Sequence, residues 1–231
     1  FELHAKFGKL PMNKILAPAI NYANEGFPVT ELIGYYLERS VPYLGAKFPN
    51  VLETYTVNGK APSKGTIFKN PYLATTYSKL AKGGRDAFYK GEMAKTIVNF
   101  IKEQGGFLSY NDLATHKSEW VQPVSVNYRG FDVWELPPNG QGIAALQMLN
   151  IIEQYDFSDI EFGSAEHIHI VTEAKKLAFE DRAKYYADMD FAKVPVEELL
   201  DKEYAKSRKK LITDRAGKYN AGEISAGETI Y

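Results

Sequence analysis

A mainly helical fold with a small β component, an α+β arrangement, is predicted from three features of this sequence. Apolar residues recur at helical spacing through most of the chain. Prolines, capping side chains and glycines fall where those runs begin and end. Only between Gln122 and Leu136 does the pattern change to an alternation of period two. With 231 residues and 45 % hydrophobic content, the chain carries enough apolar surface for a sizeable core, in one large domain or two small ones.

The elements follow in order. Pro11 suits a first helical turn, and Ile15, Leu16, Ala19, Ile20 and Ala23 form an apolar face that Gly26 closes. A second amphipathic run starts at Thr30 with Leu32, Ile33, Tyr36 and Leu37, and the proline rule ends it near Pro42. Asn70-Pro71 places a capping side chain before a proline whose missing N–H costs nothing there. Leu73, Thr76, Tyr77 and Leu80 continue that helix to Gly83-Gly84, and Met93, Ile97, Phe100 and Ile101 mark the next, closed by Gly105-Gly106. Ser109-Tyr110-Asn111-Asp112 reads as a short capped turn. A hairpin is predicted near 122–136: Val124, Val126 and Tyr128 alternate with polar neighbours, Arg129-Gly130 turns, and Phe131, Val133, Glu135 and Leu136 return. Ile143, Leu146, Gln147 and Ile151 form another helix. The longest runs from Ser164 to about Ala187, roughly six or seven turns, with Ile170, Val171, Ala174, Leu177, Ala178 and Tyr185 on its core side. A shorter helical pair follows Pro195 and reaches about Ile212, and the Gly-, Ala- and Ser-rich stretch from Thr213 to Gly227 reads as a mobile loop.

Composition narrows the function. A formal net charge of −1 with 25 % charged residues points neither to nucleic acid nor to an anionic membrane. The basic cluster from Lys202 to Lys218 is interleaved with Asp201, Glu203 and Asp214, as on a solvated helix face. No run approaches the ~18 apolar residues of a spanning helix. Without cysteine there is no disulfide, thiol nucleophile or thiolate metal site. The start Phe1-Glu2-Leu3-His4, with no methionine and no leader pattern, is what an internal segment would show.

Candidate chemistry is sparse. His167 and His169 stand two apart, so on a helix they point in nearly opposite directions and no metal site is expected. Phe162-Gly163-Ser164-Ala165 is a helix cap rather than a nucleophile elbow. Glu173, Glu180 and Asp181 are expected in surface ion pairs, with Glu180 and Lys184 spaced for one. The loop Asn139-Gly140-Gln141-Gly142 at a helix start offers free N–H groups to an anion or a substrate carboxylate, or is a plain strand-to-helix turn.

Several blocks, in order, resemble the large subunit of gamma-glutamyltransferases over nearly the whole chain. They are Leu16-Ala17-Pro18-Ala19-Ile20 with Glu25-Gly26-Phe27-Pro28-Val29-Thr30, then Asn70-Pro71-Tyr72-Leu73-Ala74 and Ala87-Phe88-Tyr89-Lys90-Gly91. Gly105-Gly106-Phe107-Leu108-Ser109, Asp112-Leu113-Ala114, Tyr128-Arg129-Gly130 and Pro137-Pro138 follow. The last are Leu149-Asn150-Ile151-Ile152-Glu153 and the run from Glu173 to Arg182.

The resemblance implies the helical large-subunit part of an N-terminal-nucleophile hydrolase with a four-layer α-β-β-α core. Residues 1–227 would belong to the large subunit, and 228–231 to the autoprocessing junction and the start of the small subunit. Thr229 falls where the family's nucleophile stands, so the cleavage site would lie between Glu228 and Thr229, and the freed amine of Thr229 would serve as base. The implied partners are the small-subunit portion of the same precursor and a gamma-glutamyl small molecule such as glutathione, and no cofactor is implied. Ile230-Tyr231 stand where typical members carry Thr-His, which resembles the transferase-like and cephalosporin-acylase-like branch. A glutaryl-type acylase and a non-catalytic scaffold therefore stay open as alternatives. The family's carboxylate-gripping arginine and oxyanion glycines are expected before Phe1 and after Tyr231, so the segment alone is expected to be inactive. A periplasmic or secreted location is compatible with the family, as is a cytoplasmic one.

Overall fold

In the computed structural model residues 1–224 are described, and the chain divides into two units, Phe1–Ser118 and Glu119–Tyr231. The first unit opens with α1 (Glu2–Phe7) and α2 (Met12–Glu25), the latter entered from Pro11 and closed by Gly26 at φ 93°. The short strand β1 (Phe27–Pro28) leads to α3 (Glu31–Lys47), whose Thr30 cap accepts from the Ile33 N–H. The expected stop at Pro42 does not occur: α3 runs through it to Lys47. Val41 is buried and Gly45 lies against Leu52, so packing on both sides of the proline outweighs the single lost backbone bond. After α4 (Asn50–Tyr55), strand β2 (Ile67–Phe68) pairs antiparallel with β1, Phe27 opposite Phe68.

Helix α5 (Pro71–Tyr89) packs on α2 and is capped by Asn70, whose Oδ1 accepts from Leu73 N at 3.0 Å. At Gly84, with φ 64° and ψ −159°, it breaks and then resumes, a geometry that favours glycine. Helix α6 (Glu92–Glu103) ends where the Gly106 N–H reaches Ile101 O at 2.8 Å across Gly105, a left-handed stop. A reciprocal capping box between Ser109 and Asp112 starts α7 (Tyr110–Thr115).

The second unit begins with the hairpin β3 (Val124–Tyr128) and β4 (Phe131–Glu135), in register from Val124 opposite Glu135 to Tyr128 opposite Phe131. Arg129 and Gly130 both have positive φ, 51° and 91°, the turn whose twist matches two paired strands. Helix α8 (Gly142–Ile152) is apolar on nearly all sides and buried against β3, the long helix α9 (Ala165–Tyr185) and α11 (Lys202–Lys209), which follows the single turn α10 (Val196–Leu199). Its core holds Ile151, Ala174, Leu177 and Ala205 in one cluster and Ile143, Tyr185, Val194 and Leu199 in another. The final described stretch, 213–224, has no regular structure, yet it is not the loose loop its composition predicts. Tyr219 packs on the first cluster, and Ala221 and Ile224 on the second.

Candidate functional site

Glu228 and Thr229 lie outside the described residues. In the loop, Asn139, Gly140 and Gln141 are exposed, and Gln141 makes no side-chain cap for α8. Glu135 sets its carboxylate against Gly142, where an added Cβ would stand 2.6 Å from Oε2, so an anion arriving there meets a like charge. The two histidines part as their spacing predicts: His167 lies between Phe157 and Phe162, while His169 Nε2 is 2.7 Å from Thr213 O. Among the described residues no group of three or more histidine or acidic side chains is placed to hold a metal ion, and no helix is long and apolar enough to cross a membrane.

The carboxylates of α9 overturn the expectation of surface ion pairs. Glu173 and Asp181 are 2 % and 1 % exposed. Among the described residues Glu180 and Lys184 form no ion pair; Lys184 Nζ lies 4.8 Å from the centre of the Tyr185 ring instead. The reason is register. Ile170, Ala174, Leu177, Asp181 and Tyr185 follow one another by three or four residues, and Glu173 stands three after Ile170 and four before Leu177, so both carboxylates share the core-facing stripe.

Buried carboxylates need partners, and these find them in the C-terminal stretch. Glu173 Oε2 accepts from Gly217 N at 2.9 Å and from Tyr219 OH at 2.5 Å, while Oε1 meets Lys176 Nζ at 2.6 Å. Asp181 Oδ1 accepts from Gly222 N at 2.8 Å and faces Arg208 Nη2 at 3.4 Å. Its Oδ2 accepts from Gln147 Nε2 at 2.9 Å and Tyr204 OH at 2.8 Å. Arg208 Nη2 also donates to Asn220 O, and Tyr185 OH to Gly222 O, each at 2.7 Å. Residues 217–222 are thus strapped down at both ends by side chains from α9 and α11. The strap passes closest at two glycines: a Cβ on Gly222 would collide with the Tyr204 hydroxyl, and one on Gly217 would stand 2.6 Å from Tyr219 OH.

Electrostatics agree with this geometry. Burial pushes the Glu173 carboxyl up, but the hydrogen bonds from Lys176, Tyr219 and Gly217 outweigh it and hold the group at about 2. Burial first, then its bond to Glu173, raises the Tyr219 phenol to about 12. Burial and the charge of Asp181 push Tyr186 and Tyr204 above the usual phenol range, so both stay protonated; Tyr204 donates to Asp181 and Tyr186 OH to Gln147 Oε1 at 2.5 Å.

A second junction ties the hairpin to the helices. Glu153 accepts from Arg129 N at 2.9 Å and from Lys202, whose Nζ also donates to Asn127 O at 2.6 Å. The Arg129 N–H and Lys202 hold the Glu153 carboxyl below the usual carboxylate range.

Comparison with known proteins gives this arrangement a context. A family model described as Gamma-glutamyltranspeptidase matches residues 1–229. The glutathione hydrolase-like YwrD proenzyme of Bacillus subtilis (strain 168) is 41 % identical over 201 residues, 87 % of this chain and 38 % of that protein. The glutathione hydrolase proenzyme of Pseudomonas aeruginosa is 38 % identical over 233 residues, 100 % of this chain and 40 % of that protein. Among solved structures, the cephalosporin acylase from Bacillus halodurans superposes with a TM-score of 0.88 at 37 % identity, over 96 % of this chain and 42 % of that one. The chain therefore spans about two-fifths of the length of the curated relatives it matches.

Proposed function

Since the chain belongs to the gamma-glutamyltranspeptidase family, we propose that it is the large-subunit part of a precursor that cleaves itself and then hydrolyses or transfers gamma-glutamyl groups. The observation that carries this reading is the unbroken family match through residue 229. In the proposed first step the Thr229 hydroxyl attacks the carbonyl carbon of Glu228, and the peptide C–N bond breaks as the nitrogen takes up a proton, leaving an ester on the Thr229 oxygen. Water opens that ester, giving a new carboxylate at Glu228 and a free amine on Thr229. An α-amine with a pKa near ~8 takes the proton of the same hydroxyl in the next attack, so one residue supplies nucleophile and base. The hydroxyl then attacks the amide of a glutathione-like donor, and water or an amino acid receives the acyl group. Oxyanion donors, each worth ~2.7–4 kcal/mol, would come from the rest of the precursor.

The second reading keeps the nucleophile and changes the acyl pocket: an acylase that removes dicarboxylic side chains. The likeness to the Bacillus halodurans cephalosporin acylase and the Ile230-Tyr231 pair in place of Thr-His favour it. Intact mass and N-terminal sequencing of the full-length protein test the shared step: cleavage between Glu228 and Thr229 is expected, and its loss in Thr229→Ala. A Thr229→Ala protein that is still split and fully active would overturn the assignment. Comparing turnover of gamma-glutamyl and glutaryl anilides then separates the two readings.

A further inference from the structure

We infer that Glu173, Asp181 and Arg208 are positioning residues for self-cleavage: they clamp residues 217–222 and so hold the Glu228–Thr229 bond within reach of the groups that cut it. The inference rests on the reading of Thr229 as the nucleophile. The clamp itself stands on described geometry. Two backbone N–H groups, Gly217 and Gly222, end on carboxylates at 2.9 and 2.8 Å. Two backbone carbonyls, Asn220 and Gly222, accept from Arg208 and Tyr185, each at 2.7 Å. These partners come from α9 and α11, two rigid elements of the same core, so the strap has a single path.

The consequence for cleavage is a matter of tether length. From the last clamped residue, Gly222, seven residues lead to Thr229, a reach of at most about 25 Å. Without the clamp, and with Tyr219, Ala221 and Ile224 lifted from the core along with it, the next hydrogen-bonded hold upstream is the contact of Thr213 O with His169, sixteen residues before Thr229. Effective concentration falls with about the −3/2 power of tether length, so release lowers it roughly three- to fourfold before any loss of orientation. The scissile carbonyl must meet a fixed set of donors in one geometry, so loss of orientation adds to that factor.

The test uses the full-length precursor and changes the strap rather than the core, with Gly222→Pro alone and combined with Gly217→Pro, which remove the N–H groups given to Asp181 and Glu173 and set added atoms against Tyr204 and Tyr219. Three rates are measured: cleavage at Glu228–Thr229 by mass, tryptic nicking after the exposed Lys218 in the uncleaved Thr229→Ala background, and turnover by the fully cleaved enzyme. The expected result is faster nicking, self-cleavage slowed at least about threefold, and turnover per cleaved molecule within about twofold of the parent. Unchanged self-cleavage in a variant whose nicking has accelerated overturns the inference. So does slowed cleavage matched by an equal fall in turnover, which marks a general structural defect, and so does unchanged nicking in the double variant, which means these bonds do not hold the strap. A parent precursor that never splits at Glu228–Thr229 overturns the nucleophile assignment and this inference with it, and is told apart because the nicking difference persists.

Discussion

Removing the charge of Asp181 should cost far more than removing its partner Arg208, and removing both should cost less than the two single losses together. The pair is 3.4 Å apart with side chains 1 % and 7 % exposed, so screening by solvent is weak. In Asp181→Asn the new amide would turn its N–H₂ toward either Gln147 and Tyr204 or Gly222 and Arg208, all of which are donors in this arrangement. In either orientation Arg208 loses its carboxylate and is left with neutral oxygens, Asn220 O among them, and its Nε already finds no partner among the described residues. Breaking a buried pair in this way costs about 3–5 kcal/mol. Arg208→Met is milder, about 2 kcal/mol, the loss of one charge-assisted bond, because Asp181 retains the hydrogen bonds from Gln147, Tyr204 and Gly222. The double variant leaves no stranded cation, so a coupling of at least ~1 kcal/mol is expected. Equilibrium urea unfolding of the four proteins measures it, read by tryptophan fluorescence, since Trp120 and Trp134 both belong to the second unit. Additivity within ~0.5 kcal/mol, or an Arg208→Met variant less stable than Asp181→Asn, would refute the reasoning.

Three more outcomes follow, two from the clamp and one from the turn before α8. The folded Glu173 carboxyl sits at about 2 against an ordinary 4.5, so the stability it contributes is complete above 4.5 and is lost as pH falls from there toward 2. The loss is at most ~3 kcal/mol, because the group lies just beneath the surface; urea midpoints between pH 6 and 2.5 should show it, and Glu173→Gln should flatten the profile. Tyr219, raised from 10.0 to about 12, contributes in the opposite sense, its share intact below 10 and lost as pH rises toward 12. Gly142→Ala would bring a Cβ to 2.9 Å from the Glu135 Cβ and 3.1 Å from Leu136 O, atoms that cannot swing aside, so a net loss of about 1–2 kcal/mol is expected after alanine's helix preference is allowed for. An unchanged urea midpoint would mean that the turn before α8 relaxes freely.

Much of the helical layout was legible because its signals are local. Asn70-Pro71 and Ser109 with Asp112 start helices where they stand, and Arg129-Gly130 turns the hairpin. Pro42 misled because a proline's cost is local, whereas the packing of Val41 and Gly45 that outweighs it comes from elsewhere in the chain. The clamp was harder still. Its two carboxylates stand some 40 residues from the N–H groups they accept, Glu173 from Gly217 and Asp181 from Gly222, and no window in the sequence joins them. One signal was present: two carboxylates at positions 173 and 181, on the stripe of Ile170, Ala174, Leu177 and Tyr185. An acidic residue on the core side of a long helix is costly unless something donates to it, and that alone predicts a partner segment. The Gly- and Ala-rich tail was that segment.

Why carboxylates rather than apolar contacts hold this stretch follows from what the stretch is made of. Between Thr213 and Ile224 few side chains are apolar, so burial alone gives little to fix the path. The backbone N–H groups of Gly217 and Gly222 must be paired if they are to be covered at all. Pairing them with two carboxylates eight residues apart on one helix also fixes the register. A slip of one residue would place Ala221 or Glu223 where Gly222 now passes, and either would drive a Cβ into the Tyr204 hydroxyl. With Glu223 there, a second carboxylate would also come beside Asp181, whose charge Arg208 faces at 3.4 Å. Net stabilisation by buried charges is often small, but discrimination between one path and its neighbours is large, because each wrong path leaves a buried donor unpaired or a side chain in collision.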